Sequence, residues 1–429
     1  MKLTTILYGS RNRNGETLML TRTARSSIGL LVAAASVAGS AMAAPTASAS
    51  AADAPDHAAV QKVLDQAVAE ARFPGMVAEV RDARGRWYGS AGVADTRTGR
   101  KRQPHERFRI GSAAKAFTAT VILQLEAEGK LSLDDTVDKW LPGVVQGNDN
   151  DGGTITIRHL LNHTSGIFNY GNDKEEAVKF TGPAFLEHRY DKYTPEQLVK
   201  IGLRNPRYFE EPGDGFTYTN TGYILAGMIV EKATGKTLAG EISRRIVRPL
   251  GLTGTYLPGE ETKIRGPHPR HYSTLFAAEP DAKIYDVTEM SATTAWAAGG
   301  MVSTIGDLHR FAGALLRGGL LPPAQRREMF TMTKTGVKMP DGTWKDTWIP
   351  DTTYGLGIFS WQLSCGATVW GIGGAITGGF SFSMGTRDAK RMVTTNMNID
   401  RYGQYNSLDT IKNVLQAGFC PSGSKTRNQ

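Results

Sequence analysis

The chain has 429 residues, 40% of them hydrophobic and 21% charged, with a formal net charge of +9. That length supplies ample core for one large domain or two intimately packed ones. The positive balance fits a soluble exported protein or attraction to an anionic cell surface, and no basic run interleaved with aromatics argues for nucleic acid as a partner.

Residues 1–43 read as an export signal. The stretch 26–43 is small and apolar, Arg22 and Arg25 precede it, and Ala41-Met42-Ala43 offers a small-x-small cleavage site. The segment before Met19 is polar, which makes Met19 an alternative start. The apolar stretch is short and alanine-rich for a membrane span. We read it as removed, leaving a secreted chain without stable membrane insertion; a retained anchor is the other reading. Its removal takes away five cations and one acid and lowers the formal charge from +9 to +5. An Ala/Ser/Thr/Pro tract over 44–56 then reads as a flexible linker.

Val60, Val63, Leu64, Ala67, Val68 and Ala71 recur at helical spacing, and Phe73-Pro74-Gly75 ends that helix. Strand-like runs at 76–80 and 87–93 follow, joined by a turn at 83–85. A third run, 108–110, leads into a helix that begins at Ser112 and stops at Gly129. Residues 130–290 are dominated by helical patterns at 157–162, 195–203, 221–234 and 238–248. From about 297 the chain reads helix, loop, then strands at 365–373, 380–384 and 391–399. An amphipathic helix over 406–419 closes it, before a polar tail at 421–429. Strands at both ends with helices between predict an α/β fold. Residues 57–129 and 291–420 would form the α/β domain, with a mostly helical domain, 130–290, inserted into it. Cys365 and Cys420 are the two cysteines. Export would place them in an oxidising compartment and favour a disulfide, closing a loop of about 55 residues and contributing up to roughly 4 kcal/mol. Two buried free thiols are the rival arrangement.

Ser112 and Lys115 stand three apart where the strand turns into the helix, so the amine can reach the hydroxyl. A serine hydroxyl becomes a nucleophile when a base takes its proton, and a neutral lysine can be that base. The positive end of the helix dipole helps keep the amine neutral. A second Ser-x-x-Lys, Ser422 to Lys425, lies in the polar tail without periodicity, so context alone separates the two. Downstream, Tyr218-Thr219-Asn220 precedes the 221–234 helix. A phenol there could relay the serine proton to a leaving group, and an amide could orient lysine and substrate. His159 and His163 could share a helix face, but nothing like His-Glu-x-x-His is present, so neither metal nor cofactor is expected.

These residues sit in longer motifs: Phe108-Arg-Ile-Gly-Ser-Ala-Ala-Lys, Ile155-Thr-Ile-Arg-His-Leu-Leu-Asn-His-Thr-Ser-Gly-Ile, Tyr218-Thr-Asn-Thr-Gly-Tyr, Ala298-Gly-Gly-Met-Val-Ser-Thr and Tyr354-Gly-Leu-Gly. In that order they resemble the penicillin-recognising serine hydrolases, in the branch of class C β-lactamases and Streptomyces-type D-alanyl-D-alanine carboxypeptidases. The resemblance implies an antiparallel sheet flanked by helices, with Ser112 as acylated nucleophile and Lys115 as its activating partner. It makes Tyr218 the proton relay and Asn220 a ligand of lysine and substrate. The oxyanion hole would be formed by the N–H groups of Ser112 and Ala375. Leu363-Ser-Cys-Gly and the late Cys420 are similar to the secreted carboxypeptidases, whose equivalent cysteines form a bridge.

The third family motif, Lys-Thr-Gly or His-Thr-Gly, is replaced by Ile372, Gly373 and Gly374. Phe359 stands in the stretch where the carboxypeptidases carry an arginine. As substrate-binding positions these four residues point away from a free C-terminal carboxylate. The expectation is a secreted serine hydrolase acting on small-molecule or peptide substrates, cell-wall-derived peptides among them. An esterase or transacylase on the same scaffold is the alternative, and a non-catalytic binding module the third.

Overall fold

The structure, a computed structural model, describes residues 57–277, 279, 281–339, 343–400 and 406–420. The expected signal, linker and tail lie outside the described residues. At its centre is an eight-stranded antiparallel sheet built from both ends of this stretch. Its strands are β1 (Gly75–Asp82), β2 (Gly85–Gly92), β5 (Thr333–Lys334), β6 (Thr352–Tyr354), β7 (Phe359–Gln362), β8 (Thr368–Ile376), β9 (Gly379–Gly385) and β10 (Met392–Met397), in the order β2-β1-β10-β9-β8-β7-β6-β5. Two short strands outside it, β3 (Arg107–Arg109) and β4 (Val302–Thr304), pair with each other.

β1 shows how sequence pattern becomes layers. Met76, Ala78 and Val80 face a cluster that contains Leu64 of helix α1 (Ala58–Ala69), while Val77 faces the opposite way, into a cluster with Phe117 and Phe311. This is the two-residue period of a strand buried on both sides. On the far face, helix α2 (Ala114–Ala127) is buried along most of its length, because it is apolar nearly all round. Helices α3 (Pro195–Leu203) and α4 (Asn220–Thr234) pack on each other, and α4 packs on α2. Helix α5 (Ile305–Arg317) lies on the sheet, followed by α6 (Pro323–Met329). The closing helix, α7 (Ser407–Phe419), packs against α1 with its N-cap at Asn406. No helix among the described residues is long and apolar enough to cross a membrane.

Three local expectations change. The strand read at 365–373 starts later, because the chain turns at Gly366 (φ +83), and β8 begins at Thr368. Cys365 therefore sits in the turn, where it is bonded to Cys420. The helix read at 238–248 is Leu238–Ile242, then a π-helical turn at Ser243–Val247, then Arg248–Leu250. Pro249 has no N–H to continue the ladder, which fits the change of register before it. Finally, α2 begins at Ala114, and Ser112 occupies a single 3₁₀ turn, Gly111–Ala113, in front of it.

Candidate active site

The turn that carries Ser112 is fixed from both sides. The Ile110 N–H donates to the Met301 carbonyl (3.0 Å), tying the exit of β3 to the strand beside it. On the other side β8 passes with no room to spare: a Cβ on Gly374 would lie 2.4 Å from both the Ser112 nitrogen and the Ile110 carbonyl oxygen. A Cβ on Gly111, which has φ +52, would lie 2.4 Å from the Ala375 carbonyl oxygen. Two glycines thus let the backbone of Ser112 and the backbone of Ala375 face each other, and both residues line one cavity of about 310 Å³.

Lys115 is fully buried and reaches three oxygens: Ser112 Oγ at 3.1 Å, Asn220 Oδ1 at 2.7 Å and the Ala298 carbonyl at 2.8 Å. No carboxylate is among them, and burial pushes the amine well below the ordinary lysine pKa. A neutral amine has two N–H bonds and one lone pair. With Asn220 and Ala298 accepting the two hydrogens, the lone pair is left for the Ser112 hydroxyl. Asn220 is held for this task as the first residue of α4, its N–H donating to Asn169 Oδ1 (3.1 Å) behind the Thr219 N-cap.

Tyr218 interacts with the Ser112 side chain, and Lys115 Nζ lies 4.8 Å from the centre of its ring. Burial pushes the phenol pKa up, so it stays protonated. Its ring stacks on Trp348 (5.5 Å between centres) and tilts against His163 (4.2 Å). His163 is fully buried with φ +63, and its Nδ1 accepts the Thr219 N–H at 3.3 Å. Burial holds its pKa well below the usual histidine value. The sequence singled out this histidine only as a possible partner of His159. In the fold His159 caps its own helix by accepting the Thr156 N–H, and the two rings serve different contacts.

Ser112, Lys115, Tyr218 and Asn220 are brought together, and Ala375 faces Ser112. The substrate-binding expectation at Ile372, Gly373, Gly374 and Phe359 needs correction. Ile372 is 1% exposed in the larger core, and Phe359 is 3% exposed among Trp348, Tyr354 and Phe382. Gly373 lies against the Phe382 ring, and Gly374 against the turn that carries Ser112. Because β8 crosses that turn at Gly374, only the residues after the crossing reach the cavity. Its wall on this side is Ala375, Ile376 and Thr377. The cavity is also lined by Phe180, Phe185, Tyr193 and Met290, which sequence reasoning missed because they come from one-turn helices and loops too short to show periodicity.

Known proteins share this fold. A D-stereospecific amidohydrolase from Streptomyces sp. is 43% identical, over 85% of this chain and 99% of that one, with a TM-score of 0.76. A D-amino acid amidase from Ochrobactrum anthropi SV3, complexed with L-phenylalanine amide, is 25% identical over 84% and 97%, with a TM-score of 0.70. A penicillin-binding protein of Bacillus subtilis (strain 168) is 29% identical over 284 residues, 63% of this chain; the match spans 58% of that relative's length. The Beta-lactamase family model matches residues 60–415, and together with the antiparallel sheet flanked by helices this means that the chain belongs to the Beta-lactamase family, whose members include serine hydrolases.

Proposed function

We propose that the protein is a secreted serine amidohydrolase that acylates Ser112 with D-configured amino acid amides, esters or short peptides. The observation that carries the reading is Lys115, which is buried without a carboxylate and has its lone pair left for Ser112 Oγ. As the Ser112 Oγ–H proton passes to Lys115 Nζ, Oγ bonds to the substrate carbonyl carbon. The carbonyl π electrons move onto oxygen, where the N–H groups of Ser112 and Ala375 stabilise the charge. When the tetrahedral species collapses, the bond to the leaving amine breaks and Tyr218 supplies that amine with a proton. Lys115 returns its proton to Tyr218. Water then attacks the ester with Lys115 again taking a proton; as the second tetrahedral species collapses, the bond to Ser112 Oγ breaks and Lys115 returns that proton to Oγ, releasing the acid and free Ser112.

D-configuration is supported by similarity to the D-stereospecific amidohydrolase and the D-amino acid amidase. An apolar acyl side chain is supported by Phe180, Phe185, Tyr193 and Met290, in a cavity of about 310 Å³. The wall formed by Ala375, Ile376 and Thr377 is uncharged, while Lys179, paired with Glu176, and Arg189 line the cavity elsewhere. The disulfide supports an oxidising destination. The test is turnover of D- and L-phenylalanine amide, D-phenylalanine methyl ester, a D-Ala-D-Ala peptide and benzylpenicillin, followed by product release and intact mass. The expected result is D-amide and D-ester turnover at least about tenfold above the L-amide, lost in Ser112→Ala. Equal rates on both enantiomers would refute the stereochemical part. No turnover and no adduct with any of them would refute the enzyme.

A further inference from the structure

Charge gathers at the end of the sheet remote from Ser112. β9 runs from Gly379, where an added Cβ would sit 3.9 Å from the Arg109 carbonyl oxygen, to Gly385. At the rise of a strand this is roughly 20 Å away. The register sets both Arg81 and Gly385 opposite Met392, so the β1–β2 hairpin tip and the turn from β9 to β10 lie side by side. Arg84, Arg387, Lys390 and Arg391 line one open concavity there, with Asp82 and Asp388.

Helices reach the same end. A Cβ on Gly313 would lie about equally close to Met392 Sδ (3.1 Å) and to the Arg317 guanidinium (3.0 Å). Arg326 donates to the Leu316 carbonyl, and the Arg387 guanidinium carbon lies 3.4 Å from the centre of the Phe330 ring. With Arg86 the end holds eight cations, against the carboxylates of Glu79, Asp82 and Asp388. Some arginines elsewhere are neutralised, Arg102 by Glu106, Arg204 by Asp173 and Arg265 by Glu261, while Arg107, Arg109 and Arg310 donate to backbone carbonyls. Here Arg81, Arg317, Arg326, Arg387 and Arg391 form no ion pair among the described residues. Burial and the neighbouring charge of Arg326 both work against the charge of Arg387. Guanidinium groups crowded in this way are relieved by an anion that accepts from several at once, and phosphate matches their fork.

None of the large exposed hydrophobic side chains lies in these turns, so nothing is offered for insertion into a bilayer. No aromatic ring lines the concavity to stack bases. We propose that this end of the molecule binds a flexible phosphodiester polymer, holding the protein by the end remote from its cavity. The test titrates fluorescent poly(glycerol phosphate) with the purified protein at about 50 and about 200 mM salt. Binding should weaken about tenfold or more across that range. It should weaken about tenfold again in Arg387→Glu with Arg391→Glu, with turnover at Ser112 retained. Because charge reversal can disturb a turn, Arg81→Gln with Arg317→Gln provides a milder variant, expected to bind more weakly at an unchanged melting temperature. The proposal is overturned by absence of binding at low salt or by full binding in both variants. Tighter binding to phosphatidylglycerol vesicles or single-stranded DNA than to the polymer also overturns it.

Discussion

Replacing Lys115 with methionine separates its chemistry from its packing. Methionine has nearly the same length and no charge, so it leaves the cavity wall in place. It orphans two buried acceptors, Asn220 Oδ1 and the Ala298 carbonyl, at about 1–3 kcal/mol each whatever the pH. The lysine itself brings a pH-dependent term. Its folded pKa lies well below the ordinary 10.5. Between the two values the unfolded chain binds a proton that the folded chain does not, and stability must rise with pH by about 1.4 kcal/mol per unit. The variant lacks this slope. Urea unfolding of both proteins at pH 7, 8 and 9 should therefore show wild type gaining about 1.4 kcal/mol per unit on Lys115→Met. Acylation of the variant by a D-amino acid ester should fall about 10²- to 10⁴-fold. Parallel stability curves would mean that the amine is already charged in the fold, and the assignment of Lys115 as base would fail.

Tyr218→Phe keeps the stack on Trp348 and removes only the hydroxyl. Stopped-flow acylation should slow about 10²- to 10⁴-fold with folding stability changed by no more than about 1.5 kcal/mol. Gly374→Ala puts a methyl 2.4 Å from two backbone atoms of the turn that carries Ser112, so it should lower stability by about 1–3 kcal/mol in urea melts and lose activity as well; full activity would mean that β8 can retreat without consequence. Replacing Cys365 and Cys420 together with serine should lower unfolding free energy by roughly 4 kcal/mol or less. Since neither cysteine lines the cavity, kcat/KM should survive.

The parts of the site legible in the sequence were those carried by local spacing. Ser112 and Lys115 are three residues apart, and Tyr218 and Asn220 flank one N-cap, so short patterns preserve their relation. The sheet was legible where alternation was clean, as in β1, and misplaced where Gly366 allowed an early turn before β8. The reading of Ile372 and Phe359 as substrate contacts failed for a three-dimensional reason. A motif position records where a residue lies along β8, but only the crossing at Gly374 decides which residues stand over the cavity. The apolar lining formed by Phe180, Phe185, Tyr193 and Met290 comes from one-turn helices and loops whose side chains meet only after the chain has folded. His163 belongs to the same class: its short motif was visible, but its contact with Tyr218 depends on two segments arriving together.

The strand order also bears on the timing of folding. β10 lies between β1 and β9, so the first strands of the sheet wait for nearly the last to be made. Pairs such as Val77 with Asn396 must close across almost the entire described chain, and such distant pairings form slowly. A growing chain therefore has no finished sheet, and no β8 to set against Ser112, until its final strands emerge. Catalytic competence arrives all at once, at the end of synthesis, and a chain cut short before β8 would carry the Ser–Lys pair without the strand that completes its site.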